Sequence, residues 1–102
     1  MTYGFVMDVP APIEFYDAMH AELARRVSGP VDGLLLHLAR RTNAGFQIIE
    51  VWESEELCDR YTAELVNPVM AELTGGQPPP VAPAVEGFEP RGLVIPAAHV
   101  FV

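Results

Sequence analysis

The sequence has few basic residues, a single cysteine and no long apolar run. Six Lys and Arg stand against 14 Asp and Glu, which gives a formal net charge of −8 and an isoelectric point near 4.6. Nucleic acids and anionic membrane surfaces are bound through clustered Lys and Arg, and because the chain has no such cluster, both partners are disfavoured. Cys58 stands alone, so an internal disulfide is excluded and a reducing compartment is indicated.

The apolar segments are too short for a membrane-spanning helix. No run approaches the roughly 20 residues that a span requires, and no charged-then-apolar leader opens the chain. We therefore expect residues 1–102 to form one cytoplasmic domain. Half of the residues are nevertheless hydrophobic and the mean hydropathy is +0.20. For so small a chain this predicts an enclosed apolar cavity or a face buried against a partner, and a dimer satisfies both.

The first half of the chain alternates between strand and helix patterns. A helix is predicted where apolar residues recur at three- and four-residue spacing, and a strand where β-branched and aromatic residues cluster or alternate. The predicted elements are a strand over residues 2–9, a helix over 13–27, a strand over 33–40 and a strand over 46–52. Residues 41–45 have turn composition, so the second and third strands are expected to form a hairpin.

The joint over residues 45–57 organises the chain. It is a strand that runs directly into a helix, because Ser54 offers a side-chain oxygen to the free amides of a helix start. Glu55 and Glu56 place negative charge at the positive end of that helix. We expect Asn67–Pro68 to kink this second helix or to divide it in two, with Asn67 capping the restart.

The last third of the chain is rich in proline. Residues 77–83 are predicted to be a stiff polyproline connector, and residues 84–88 and 93–95 are predicted strand pieces. Residues 97–102 are apolar for a chain end, which favours docking on a dimer mate.

These elements predict an α+β fold. Two β–α–β units with a central hairpin give a ferredoxin-like βαββαβ protomer, with a four-stranded antiparallel sheet and both helices on one face. The other sheet face would be bare in a monomer although strands two and three carry apolar residues of both parities. Face-to-face packing of two sheets in a homodimer is the expected answer.

The order of the elements and the joint Val51-Trp52-Glu53-Ser54-Glu55-Glu56 resemble the dimeric α/β-barrel superfamily, in its antibiotic-biosynthesis-monooxygenase-like branch. The resemblance implies a homodimer with a cavity between the sheet and its own helices. Members include cofactor-free monooxygenases of aromatic polyketides and haem-degrading enzymes. The haem degraders resemble one another in an Asn on strand one and a Trp and a His on helix two, all absent from this chain, so haem is not expected.

Cofactor-free oxygenation is the enzymatic hypothesis, with no cofactor and no metal. An electron-rich phenol or dihydroquinone supplies the electrons, and the protein orients it and removes a proton. His37 is the candidate base because imidazole titrates near neutral pH. If Arg40 pairs with Gly45, then His37 shares a face with Glu50 and Trp52, whereas a slip of one residue separates them. The candidate ligand-binding residues are Tyr3, Tyr16, Trp52 and Tyr61.

A non-catalytic interpretation stands beside this one. The same aromatic residues are typical core residues, and His37 among leucines is also typical of a hydrogen-bonded core or interface histidine. The alternative is therefore a structural or ligand-binding homodimer whose cavity is filled by its own side chains. His20 is interpreted as structural and His99 as exposed or at the dimer contact. Cys58 has no nearby cation to hold a thiolate, and the histidines lack the spacing of metal ligands.

Overall fold

The computed structural model describes residues 2–102. Its strands and helices, in chain order, are β1 (Tyr3–Val9), α1 (Ile13–Arg26), β2 (Leu34–Arg41), β3 (Phe46–Trp52), α2 (Glu55–Tyr61), a π-helical turn (Thr62–Val66), α3 (Asn67–Thr74), β4 (Ala84–Phe88), β5 (Val94–Ile95), a 3-10 turn (Pro96–Ala98) and β6 (Val100–Phe101). Strands β2-β3-β1-β4 form one antiparallel sheet. The predicted α+β fold is confirmed.

The core lies between the sheet and the helices. Phe46 and Ile48 of β3 pack with Met19 of α1 and Val69 of α3, and all four side chains are buried. Alternate residues of β3 point to this side because side chains alternate along a strand. Phe46, Ile48, Glu50 and Trp52 therefore share the helix-facing side of the sheet, while Ile49 and Val51 face the other side.

The predicted hairpin joins β2 and β3 through Thr42 and Gly45. The amide of Thr42 donates to the carbonyl of Gly45 at 2.9 Å, and the amide of Gly45 donates back at 3.3 Å. A β-bulge interrupts the register between Leu34 and Leu36. The extra residue of a bulge bends the strand and interrupts the alternation of its faces. The bulge therefore explains how three consecutive leucines occur in a strand that packs only one face on helices.

The strand–helix joint forms as predicted. The side chain of Ser54 caps α2 by accepting a hydrogen bond from the amide of Leu57 at 3.2 Å. Cys58 follows on the buried side of α2, and burial together with the negative charge of Glu50 raises the pKa of its thiol to about 11. The joint thus fixes one helix end and buries the only thiol of the chain.

A π-helical turn separates α2 from α3, in agreement with the predicted division of the second helix, but the predicted cap at Asn67 is wrong. Asn67 has helical dihedral angles of −62° and −44°, and its amide donates to the carbonyl of Thr62. Pro68 lacks an amide to donate, and the π-helical turn before it accommodates this without breaking the helical path. Glycine at Gly75 then ends α3 in the left-handed conformation.

The last segment forms a small ladder of its own. Val94 pairs with Phe101 and Ile95 with Val100, so the apolar end of the chain pairs with residues of the same protomer. Phe101 is nevertheless 82% exposed. Of the helices within residues 2–102, none has the length and apolar character needed to cross a bilayer.

Gly45 is the position where the fold tolerates no side chain. A Cβ atom there would lie 2.1 Å from the carbonyl oxygen of Val9 and 2.7 Å from that of Ala11, both backbone atoms. We expect Gly45→Ala to lower the free energy of unfolding by about 2–4 kcal/mol through overpacking and backbone strain. Urea denaturation measures this change. Gly29→Ala is the control, since a Cβ there meets nothing within 4 Å; equal losses in the two variants would contradict the steric explanation.

Cys58 predicts a loss of stability in alkali. Its folded pKa of about 11 lies above the ordinary thiol value of 9.0, so the folded protein holds the thiol proton more tightly than the unfolded chain does. The resulting stabilisation is complete below the unfolded pKa and is lost as pH rises between these two values. Urea denaturation from pH 8 upward should show the decline, and Cys58→Ala should make it shallower. A decline of the same size in this variant would contradict the assignment.

Candidate functional site

A chain of hydrogen bonds crosses the helix-facing side of the sheet. The indole Nε1 of Trp52 donates to Oε1 of Glu50 at 2.9 Å. Oε2 of the same carboxylate lies 2.5 Å from Nδ1 of His37. The hydroxyl of Tyr16 lies 2.6 Å from Nε2 of His37. A tryptophan, a carboxylate, an imidazole and a phenol are therefore connected in series.

The strand register brings the first three of these side chains together. His37 of β2 lies directly opposite Glu50 of β3, and such pairs place their Cβ atoms about 4.5–5.5 Å apart. Arg40 pairs with Gln47, not with Gly45. The difference is two residues, which preserves the alternation of faces, so His37, Glu50 and Trp52 do share one side.

Helix α1 supplies the fourth side chain. Tyr16 lies on the helix side that packs on the sheet, with its ring centroid 5.5 Å from that of Phe46. One turn later His20 reaches the same hydroxyl, with Nδ1 3.4 Å from Oη of Tyr16. The Tyr16 oxygen is therefore flanked by two imidazoles, one of them held by the sheet and the other exposed.

The hydrogen bonds define the direction in which protons are shared. A carboxylate only accepts, so Nδ1 of His37 carries a hydrogen and donates it to Glu50. In the neutral imidazole Nε2 is then the acceptor for the O–H of Tyr16. Both ring nitrogens of His37 are therefore occupied.

Glu50 is the one charged group in the buried set of side chains described for residues 2–102, with 9% of its surface exposed. Burial of a carboxylate is costly unless hydrogen bonds replace its hydration. Trp52 and His37 supply those bonds, one to each oxygen. Across residues 2–102, no buried side-chain nitrogen or oxygen lacks a hydrogen-bond partner.

The buried carboxylate also acts on the nearby phenols. Burial raises the pKa of Tyr16, and the negative charges of Glu50 and Asp17 raise it further. Burial and the charge of Glu50 likewise raise the pKa of Tyr61. Both phenols are therefore held in the protonated form well above neutral pH, and Tyr16 is a proton donor to His37 rather than a resting phenolate.

The other predicted site residues lie at different distances from this series of hydrogen bonds. Trp52 is 0% exposed and packs against Tyr61 with 5.4 Å between ring centroids. Tyr3 is opposite Trp52 in the register of β1 and β3, and its ring lies 6.4 Å from that of Phe5. Tyr16 and His37 are thus joined directly and Trp52 is joined through Glu50. Tyr61 contacts Trp52 in a tilted ring arrangement, and Tyr3 lies beside Trp52 on the neighbouring strand.

Sequence reasoning did not identify Glu50 and His20 as site residues. Glu50 carried a usable signal, since it is an acidic residue flanked by Ile49 and Val51 in a strand with buried neighbours. His20 lies four residues after Tyr16, a spacing that places two side chains on one helix face. Neither signal reveals the cross-strand partner, which depends on the register.

Metal binding, and ligand binding in a groove, have less support near the hydrogen-bonded series. Residues 2–102 contain no group of three or more His, Cys, Asp and Glu side chains placed to hold a metal ion. An open groove of about 420 Å³ lies at the far end of the sheet, beside the hairpin turn and the start of α1, and is lined by residues such as Pro12, Glu14, Arg41 and Thr42. It contains none of the hydrogen-bonded side chains.

Comparisons with known proteins locate the fold. No protein-family model matches the sequence, and no curated protein matches it significantly. Among solved structures, a Caulobacter crescentus protein described as an antibiotic biosynthesis monooxygenase matches with a TM-score of 0.63 and 16% identity, over 85% of this chain and 87% of that one. A variant of SnoaB, a cofactor-independent oxygenase from Streptomyces nogalater, matches with a TM-score of 0.59 and 20% identity, over 93% and 97%.

A haem degrader also has this fold. MhuD from Mycobacterium tuberculosis, solved with two haems in its active site, matches with a TM-score of 0.52 and 18% identity, over 91% of this chain and 98% of that one. Neighbours with different chemistry at such low identity show shared architecture only. The chain shares the ferredoxin-like α+β fold of these antibiotic-biosynthesis-monooxygenase-like structures.

Proposed function

We propose that the protein is a cofactor-independent monooxygenase-like enzyme for a small, electron-rich phenol or dihydroquinone. The observation that carries the proposal is the hydrogen-bonded series of Tyr16, His37 and Glu50. It supplies a base whose protonated form is stabilised in advance by a buried carboxylate. The shared fold with a cofactor-independent oxygenase supports the same reading by analogy.

Tyr16 is the residue that contacts the substrate in this mechanism. The phenolic proton of the substrate moves to Oη of Tyr16 as Tyr16 passes its own proton to Nε2 of His37. His37 becomes an imidazolium paired with Glu50, and Tyr16 remains neutral. This refines the predicted role of His37, which acts as the base through Tyr16 rather than on the substrate directly.

The deprotonated substrate supplies the electrons for the reaction with oxygen. A bond forms between a ring carbon and O₂, and protonation gives a hydroperoxide. Loss of water from the hydroperoxide leaves a carbonyl on the ring, so one oxygen atom enters the quinone and the other leaves as water. The protein stores and returns protons in this sequence and is not itself oxidised.

Trp52 and Tyr61 have different roles in the proposed site. Because Trp52 is fully buried and fixes the carboxylate of Glu50, we assign it a positioning role. Tyr61 covers Trp52 and is only partly buried, which suits a ligand-lining side chain. Tyr3, opposite Trp52 on the neighbouring strand, stays a predicted lining residue.

A second function has its own support. The complete burial of Trp52 and the occupation of both His37 nitrogens are also what a cavity filled by its own side chains requires. In this alternative the protein is a non-catalytic structural or ligand-binding homodimer. The same polar series then serves to satisfy a buried carboxylate and specify one packing arrangement.

Oxygen uptake with a panel of neutral dihydroquinones tests the enzyme proposal. Wild-type protein should accelerate uptake over the buffer rate, and His37→Gln should lower kcat by about 100-fold, because general base catalysis contributes on that order. Tyr16→Phe should lower it comparably, since the substrate loses its proton acceptor. His99→Gln, in the terminal segment, is the matched control and should keep wild-type activity. No acceleration with any substrate, or equal activity in His37→Gln and wild type, would favour the non-catalytic alternative.

We also propose that the sheet face opposite the helices pairs with a second copy of the chain. This face is apolar and includes Val6, Leu36, Leu38, Ile49 and Phe88. Leu38 is 51% exposed and Phe88 38% exposed in the single protomer. A contiguous apolar surface on a small acidic protein is typical of an interface, and a twofold pairing lets the same patch serve both copies.

Sedimentation of two leucine variants tests this pairing. Wild-type protein at micromolar concentration should sediment as a dimer, and Leu38→Glu should sediment as a monomer because each copy would bury an unpaired negative charge in the proposed interface. Leu73→Glu is the control, since Leu73 is also exposed, at 39%, but lies on α3 behind the sheet. A monomeric wild type, or a dimer that survives Leu38→Glu, would refute the proposed interface.

A further inference from the structure

We propose that Tyr16 is a redox-active tyrosine that reduces one-electron oxidants of the organic-radical class, such as phenoxyl radicals. The inference uses the Tyr16–His37–Glu50 series but does not depend on the oxygenase reaction, because it needs neither O₂ nor a phenolic substrate. It assigns the protein an activity of its own, the donation of a single electron.

Tyr16 is in direct contact with a base, His37, that can accept its proton. A phenol that loses an electron becomes a strong acid, so its oxidation is favourable only where a base takes the proton at the same time. Nε2 of His37 lies 2.6 Å from Oη of Tyr16, which is a short hydrogen bond for a nitrogen and an oxygen. The proton therefore has to move only within an existing hydrogen bond.

The proton that reaches His37 is stabilised there by the carboxylate of Glu50. Nδ1 of His37 is 2.5 Å from the carboxylate of Glu50, so the imidazolium that forms is paired with a charge already in place. The indole N–H of Trp52 holds the carboxylate from the other side. A buried partner of this kind stabilises the imidazolium more than water does, because the local dielectric constant is low.

The step balances in electrons and protons. One electron leaves the phenol ring of Tyr16 and reduces the oxidant to its anion. The O–H bond of Tyr16 breaks and an N–H bond forms at Nε2 of His37, which leaves a neutral tyrosyl radical beside an imidazolium–carboxylate pair.

Tyr16 differs from the other two tyrosines in its hydrogen bonds. The chain has three tyrosines, and in the part described, residues 2–102, Tyr16 alone has its hydroxyl hydrogen-bonded to an imidazole. The ring of Tyr61 is tilted by 44° against that of Trp52 and Tyr3 lies near Phe5, and neither hydroxyl is hydrogen-bonded to an imidazole within residues 2–102. Tyr16 is also only partly buried, which lets an oxidant in solution approach the ring.

Stopped-flow oxidation with hexachloroiridate(IV) tests the proposal on the full-length protein. Wild-type protein should reduce the probe in a fast phase and give the electron paramagnetic resonance spectrum of a tyrosyl radical. Tyr16→Phe should lose that phase. His37→Gln should slow it about tenfold or more, which corresponds to a loss of about 1.4 kcal/mol of activation free energy or more. His99→Gln should retain the fast phase.

A measurement on unmodified protein guards against variants that fail to fold. A nitroso spin trap added during oxidation, followed by peptide mapping, should place the adduct on Tyr16, and the fast phase should slow in deuterium oxide because a proton moves with the electron. An adduct on Tyr3, Tyr61 or Trp52 in place of Tyr16 would overturn the proposal. So would a fast phase that is insensitive to deuterium oxide or unchanged in His37→Gln.

Discussion

The buried carboxylate of Glu50 is the constraint on which the rest of the site depends. A charge with so little exposure requires a donor for each oxygen, and here one donor comes from its own strand and the other from the neighbouring strand. Trp52 is two residues from Glu50 and so on the same side of the sheet. His37 can serve only if β2 pairs with β3 in the observed register. The carboxylate thus links the orientation of the tryptophan to the register of an edge strand.

The same requirement connects the sheet to α1. Once Nδ1 of His37 is committed to Glu50, its Nε2 needs a donor, and Tyr16 is the side chain of α1 that provides one. The phenol also packs on Phe46 in the apolar core, so one residue joins the polar series to the hydrophobic contacts. Loss of Glu50 would therefore weaken the contact between α1 and the sheet as well as the pairing within the sheet, since members of a buried polar network are not independent.

The sequence was informative about elements and less so about how they pair. Periodicity, β-branched content and the Ser54 cap are local signals, and the strands, the hairpin and the capped joint follow from them. The register is a long-range property. A pairing of Arg40 with Gly45 was considered and the structure pairs Arg40 with Gln47, yet the even offset left the faces unchanged. Parity can be inferred from alternation, whereas the partner of a given residue also depends on the bulge at Leu34–Leu36 and the turn.

Pro68 shows the limit of reading a single residue. A proline inside a helical pattern predicts a break because it lacks an amide and collides with the preceding turn. The structure instead widens the turn before it, with the amide of Asn67 reaching the carbonyl of Thr62. A π-helical turn accommodates one extra residue and so relieves the collision without a new cap.

The balance between a catalytic and a structural role depends on where the polar series ends. A network that only satisfies a buried charge is complete once every donor and acceptor is paired, and Tyr16 completes the pairing of His37. Tyr16 is also only partly buried and lies beside the exposed imidazole of His20. The raised pKa of Tyr16 keeps its hydroxyl protonated. The series therefore begins at a buried charge and ends at a protonated hydroxyl on a partly exposed residue, which is the arrangement that the proposed proton transfer requires.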